Sequence, residues 1–137
     1  MKDKISISID IEAPVEKVWK YWTVPKYITQ WNFATEDWCC PKAENDLRVG
    51  GKYLARMEAK DGSFGFDFEA TYNQVEKFKK IKYTIADGRE VMIDFENFQN
   101  KTRINMVFDT ENQNSIGKQQ EGWEAILRNF KTYTENK

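Results

Sequence analysis

Two pairs of carboxylates stand two residues apart in this sequence, Asp67 with Glu69 and Asp94 with Glu96. In extended backbone that spacing puts both members on one face, where one can act as general acid and the other as base. Each pair, however, alternates with large apolar residues: Phe66, Phe68 and Ala70 in one case, Ile93 and Phe95 in the other. The carboxylates therefore fall on the face turned to water, and a solvated surface is the better reading. Glu36 and Asp37 lie in an irregular segment between Trp31 and Trp38, within reach of a cavity mouth, but solvated loop charge accounts for them more simply. Cys39 and Cys40 are adjacent and are the only two cysteines. They do not close an ordinary disulfide with each other, and no second pair exists for zinc. A reactive thiol needs a depressed pKa; the nearest basic residue along the chain is Lys42 and there is no histidine, so inert thiols are expected. The lack of histidine also excludes Ser-His-Asp and Cys-His catalysis, His-ligated zinc and a His general base. Gly50-Gly51-Lys52 is not a phosphate loop, because Tyr53 follows in a strand pattern. No catalytic residue, metal site or cofactor is assigned, and enzyme activity is not expected.

What remains is ring surface. The chain holds nine Phe, six Tyr and five Trp in 137 residues, which implies a bulky core, an aromatic-lined cavity, or both. The candidate lining set is Trp31, Trp38, Tyr53, Phe66, Phe68, Tyr83, Phe95, Trp123, Leu127 and Phe130. Rings packed together and rings around a void have the same sequence signature, so both readings stay open for each residue. Trp31, Trp38 and Trp123 are the leading wall candidates; the first two lie in or beside the irregular segment, where binding residues concentrate.

These residues need elements to hold them. Ile5, Ile7, Ile9 and Ile11 alternate with Ser6, Ser8 and Asp10, the period of a half-buried strand. Pro14 suits a helix start, Glu16 favours its positive end, and Val15, Val18, Trp19 and Trp22 follow at helical spacing. Pro25 stops that helix and is placed to open a second short one through Tyr27, Ile28 and Trp31. Residues 32–46 read as irregular, with Trp38-Cys39-Cys40 as a short strand closed by Pro41. Gly50-Gly51 suggests a bulge or a close backbone approach. Four more strands carry Tyr53, Ala55 and Met57; Phe64, Phe66, Phe68, Ala70 and Tyr72; Ile81, Tyr83 and Ile85; and Val91, Ile93 and Phe95. Ile104, Met106 and Phe108 mark the last strand, and Asp61-Gly62 and Asp87-Gly88 mark hairpin turns. Lys77, Lys79, Lys80 and Lys82 read as charge that keeps a turn and an edge strand unpaired. Ser115 is placed as the N-cap of a final helix with an apolar stripe of Trp123, Ile126, Leu127, Phe130 and Tyr133.

Strands and helices are segregated, so the class is α+β: a curved antiparallel sheet of about six or seven strands, covered by the C-terminal helix. Length points to one domain over residues 1–137. Basic and acidic residues nearly balance, 21 against 22, which argues against nucleic acid as a partner. No apolar run approaches a membrane span, and the residues before Ile5 lack the apolar stretch of a signal peptide. Free thiols without a disulfide framework point to the cytoplasm.

Four motifs then converge. Ile9-Asp10-Ile11-Glu12-Ala13-Pro14-Val15-Glu16-Lys17-Val18-Trp19 resembles the opening of the START-like (SRPBCC) superfamily. Trp22-Thr23-Val24-Pro25 with Trp31 narrows it, as does Leu47-Arg48-Val49-Gly50-Gly51-Lys52-Tyr53 followed by Asp61-Gly62-Ser63-Phe64. Gly122-Trp123, then Ile126-Leu127 and Phe130, is similar to the final helix. Together they resemble the branch named for the activator of the ninety-kilodalton heat-shock protein ATPase, over nearly the whole chain. The resemblance implies a helix-grip (START-like, Bet v-like) fold with an apolar cavity between sheet and helix. The co-chaperone's own activity depends on a further N-terminal domain, and this sequence opens directly on the first strand, so that activity is not carried over. The expected partner is a small hydrophobic or amphipathic molecule, bound without a cofactor. The alternatives are a chaperone or other protein partner, or an apolar substrate turned over without metal or His. A monomer or weak homodimer is expected.

Overall fold

The computed structural model describes residues 3–137. Strand β1 (Lys4–Ile11) buries Ile5, Ile7 and Ile11 and turns Ser6 and Ser8 to solvent, as its alternation dictates. Helix α1 (Val15–Thr23) follows, with Pro14 as its extended N-cap and Glu16 in the first turn. Its buried stripe is Val15, Val18, Trp19 and Trp22. Pro25 cannot continue α1 but suits a new first turn, so it opens α2 (Pro25–Trp31).

Six strands form a meander: β2 (Trp38–Asn45), β3 (Lys52–Ala59), β4 (Gly65–Glu76), β5 (Lys80–Ile85), β6 (Glu90–Phe98) and β7 (Lys101–Asp109). β1 adds antiparallel to β7, which gives one seven-stranded sheet ordered β1-β7-β6-β5-β4-β3-β2. Helix α3 (Ile116–Glu135) closes the chain, and Ser115 Oγ accepts from the Lys118 N–H at its start. The concave face of the sheet meets α3, with α1 and α2 at one end, the helix-grip arrangement. The far end of α3 is tied to the β1 end: Lys131 Nζ donates to the Asp10 carbonyl at 2.7 Å, and the Glu12 N–H donates to Glu135 at 2.8 Å.

The sequence reading needs correction in three places. β2 does not stop at Pro41 but runs to Asn45, because Pro41 falls within a register shift between Cys39 and Lys42, where no ladder N–H is required. The irregular segment therefore shrinks to residues 32–37. Second, the lysine run does not guard an edge strand, since the edges are β1 and β2 and β5 is central. Lys80 and Lys82 instead face carboxylates across the β5–β6 ladder, Asp94 at 3.6 Å and Glu90 at 4.0 Å. Third, Phe64 precedes β4 and, like Phe66, is exposed, so the apolar face of that strand is buried only from Ala70 onward. The close approach expected at Gly50-Gly51 is present: a Cβ on Gly51 would stand 2.0 Å from the Asp46 carbonyl oxygen.

The deepest packing lies where the three helices meet the sheet. Phe130 is fully buried, edge-on to Trp22 at 5.0 Å and to Trp31 at 4.8 Å. Trp22 and Trp31 stack at 4.9 Å, and Trp31 Nε1 donates to the Tyr21 carbonyl at 3.0 Å.

Candidate functional site

Between the concave face and the first half of α3 the packing is incomplete, and a cavity of about 310 Å³ remains. Its walls come from β3 (Tyr53, Met57), β4 (Phe66, Phe68), β5 (Tyr83) and β7 (Met106), with Trp22, Trp31, Asn32 and Ala34 at the α1–α2 end. Helix α3 contributes Lys118, Gln119, Gly122, Trp123, Ile126 and Leu127. These are adjacent pairs repeating every four residues, so they lie on one helix face. The rings support one another around the void: Tyr53 is 6.0 Å from Phe68 and 6.1 Å from Tyr83, and Phe68 is 6.3 Å from Trp123. Trp123 is held from behind by a stack on Phe108 at 4.5 Å.

Of the ten candidate lining residues, the structure brings together Trp31, Tyr53, Phe66, Phe68, Tyr83, Trp123 and Leu127. The other three lie elsewhere. Phe95 packs edge-on against Trp19 at 5.2 Å and Trp22 at 6.1 Å, so it fills core beneath α1. Phe130 is sealed in the Trp22–Trp31 cluster one turn beyond the cavity. Trp38 points to the outer end of the sheet, where it meets Phe64 and Phe66, each at 6.1 Å. Sequence reasoning missed Trp22, which its helical spacing had marked as core. It also missed the polar mouth formed by Arg89, Glu111, Asn114 and Lys118. Arg89 had a readable signal: it lies two residues before Val91, just ahead of β6, and so continues that strand's inward face.

The cavity wall carries few polar atoms. The Tyr53 hydroxyl accepts from Asn32 Nδ2 at 3.2 Å. The Tyr83 hydroxyl makes no hydrogen bond among the described residues, yet it is not sealed in, so it opens onto the cavity its ring lines. Burial pushes both phenols well above the ordinary tyrosine range; Arg89 pulls Tyr83 weakly the other way. Gln119 is buried and fully committed: its amide donates to the carbonyls of Glu111 at 3.2 Å and Asn114 at 2.8 Å, and it accepts from the Glu111 N–H at 2.9 Å. It thereby fixes the loop before α3 at the cavity mouth.

The other groups weighed for chemistry stand apart. Asp67 pairs with Arg56 at 3.3 Å, Asp94 with Lys80, Glu96 accepts from Asn105 at 3.1 Å, and Glu69 is exposed. Glu36 and Asp37 are exposed as well. Cys40 is buried, its Sγ 3.5 Å from the Lys42 carbonyl, and burial pushes its thiol up to about 11. A polar depression of about 620 Å³, lined by Asp3, Asp87, Thr110 and Glu111 among others, adjoins Arg89 from the other side. Among the described residues no three Cys, Asp or Glu side chains converge as a metal site would require.

The family description "Activator of Hsp90 ATPase homolog 1-like protein" matches residues 12–135. The chain belongs to this family. Membership agrees with the START-like motifs and with the helix-grip fold. The AHSA1-like protein of Aeromonas hydrophila is 42% identical, with a TM-score of 0.92 over 98% of this chain and 93% of its own. A protein from Cytophaga hutchinsonii is 47% identical, with a TM-score of 0.84 over 97% and 92% of the two chains. A protein from Nitrosomonas europaea shares the fold at 17% identity, with a TM-score of 0.84 over 97% and 94%. No curated protein matches significantly. Among the described residues no helix is long and apolar enough to cross a membrane.

Proposed function

We propose that this AHSA1-like protein binds a small hydrophobic or amphipathic molecule, non-covalently, between the sheet and α3. The supporting observation is the 310 Å³ cavity walled by Trp22, Trp31, Tyr53, Phe68, Tyr83 and Trp123. Ligand sites run upward from about 300 Å³ and are mostly apolar with a few oriented polar groups. The driving force is apolar burial, about 25 cal/mol per Å² before ordering costs. The reading invokes no cofactor; Glu111 lines the cavity only at its mouth, where Asn114 engages it, so deeper in the wall the enzyme reading rests on tyrosine.

The test is a heteronuclear NMR titration with 1-octanol, a neutral apolar probe. Binding at the cavity shifts the Trp123 indole N–H and the Gly122 amide while signals from the outer face of the sheet stay put. No shift at these positions at saturating probe would sink the reading. Native mass spectrometry beside a denatured control identifies any molecule that co-purifies.

One observation favours a second reading, a protein-binding module with a chaperone or other protein partner. Phe64 and Phe66 are 61% and 42% exposed and cluster with Trp38 at the end of the β3–β4 hairpin. Its test is a pull-down comparing wild type with a double variant, Phe64→Ser with Phe66→Ser. Identical bound proteins from both would remove that reading.

A further inference from the structure

The cavity has a polar end as well as an apolar body, and two of the groups at that end come from one hairpin. Tyr83 on β5 pairs with Val91 on β6, and the Ile85 N–H donates to the Arg89 carbonyl at 2.7 Å. Arg89 is thus two residues from Val91 on the same inward face, and its side chain is a diagonal neighbour of Tyr83, about 7–8 Å away along the ladder. The turn between the strands holds it there. Gly88 takes a φ of +97°, and Asp87 accepts both from the Arg89 N–H at 3.1 Å and from Nε at 2.8 Å. That fixes one edge of the guanidinium, while its terminal nitrogens make no other hydrogen bond among the described residues. The Arg89 side chain is only 20% exposed. The Tyr83 hydroxyl, on a residue 4% exposed, also lacks a partner among the described residues. Buried donors left unpaired are costly, so a free donor opening onto a cavity marks where an acceptor is expected. Glu111 lies at the same mouth, but its carboxylate is engaged by the Asn114 N–H at 2.6 Å and Nδ2 at 2.9 Å. Lys118 adds a second positive charge with no ion-pair partner among the described residues.

We propose that the molecule bound here is an apolar carboxylate, its tail among the rings and its carboxylate accepting from the Tyr83 hydroxyl and the Arg89 guanidinium. This rests on the cavity reading above and specifies the ligand class. The planar guanidinium presents paired donors to a carboxylate, and the short distance from Arg89 to solvent keeps the charge partly hydrated.

The experiment compares octanoate, 1-octanol and octylammonium as probes of equal chain length, by NMR titration at neutral pH. The expected order is octanoate tightest, by about tenfold or more over 1-octanol, with octylammonium weakest. Tyr83→Phe and Arg89→Gln each lower octanoate affinity more than octanol affinity, so the ratio between the two narrows. The wild-type ratio needs no variant to fold, and circular dichroism melts check both variants. Equal affinity for octanoate and octanol overturns the headgroup assignment and leaves the cavity reading standing. Tightest binding of octylammonium, or a ratio unchanged in both variants, likewise overturns it. If none of the three probes binds, the cavity reading fails and takes this inference with it.

Discussion

Gly122 offers the cleanest test of whether the space under α3 is a working void. It sits in the middle of a 20-residue helix, lines the cavity, and a Cβ built on it meets nothing within 4 Å. Glycine in a helix interior costs about 1 kcal/mol relative to alanine, through backbone entropy in the unfolded chain. Gly122→Ala should therefore stabilise by about 1 kcal/mol, which for a chain of this size raises Tm by about 3–5 °C. Gly122→Leu keeps most of that propensity gain and extends four carbons into the cavity. If the void is dry, burial adds up to about 1.5–3 kcal/mol more. The same substitution should abolish binding of octanol, because it occupies the volume a ligand needs. The assay is a thermal melt of wild type and both variants, followed by the probe titration. The two readouts move in opposite directions, more stability with less binding, and general damage to the fold produces no such pair. Unchanged octanol affinity in a folded Gly122→Leu would refute the cavity as the site. A Gly122→Ala that melts lower than wild type would refute the geometry.

Other consequences follow from the packing. Phe130→Ala should destabilise by about 3–5 kcal/mol, since it empties a fully buried site between Trp22 and Trp31, whereas Phe64→Ala at an exposed ring should stay within about 0.5 kcal/mol; chemical denaturation measures both. At pH 8, iodoacetamide should label half-buried Cys39 and spare Cys40, whose thiolate fraction is about one in a thousand, and peptide mapping reads the ratio. Tyr53, Tyr72 and Tyr83 all have phenols raised by burial, so above about pH 10 the unfolded chain releases protons that the native state retains. Stability is then complete below pH 10 and falls as pH rises beyond it. Phenolate absorbance should show Tyr53, Tyr72 and Tyr83 titrating only as the protein unfolds.

The elements were legible because their periods are clean. The isoleucines of β1, the 3.6-residue stripe of α3 and the two Asp-Gly turns each admit one local structure, and each is found. β2 was obscured because proline reads as a terminator, whereas on an edge strand with a register shift its missing N–H removes nothing. Strand order was not legible either. β1 pairs with the last strand, and that long-range choice moves β5 into the sheet interior and changes what its lysines do. The ring set identified the cavity region but not its limits. Phe95 and Phe130 have the same residue chemistry as Trp22, Trp31, Phe68 and Trp123, and only the path of α3 across the sheet decides which face a void.

That path also explains why the void persists. Where α3 is fully buried it carries Phe130 against Trp22 and Trp31, and the packing closes, with Leu127 at the cavity's edge. About two to three turns earlier the same face carries Lys118, Gln119 and Gly122. Lysine keeps its charge at the mouth, Gln119 turns its amide to the Glu111–Asn114 loop, and Gly122 has no side chain, so none of these three positions fills the space down to the sheet. Opposite them stand Tyr53, Phe68 and Tyr83, large rings that brace one another and cannot collapse into the gap without leaving their own contacts. A core selected for density alone would place a leucine at 122, which the backbone accepts without conflict. The chain instead has glycine there, lining the same cavity as a buried Tyr83 hydroxyl that has no hydrogen-bond partner among the described residues, and the two together support the proposed binding site over a core selected for packing.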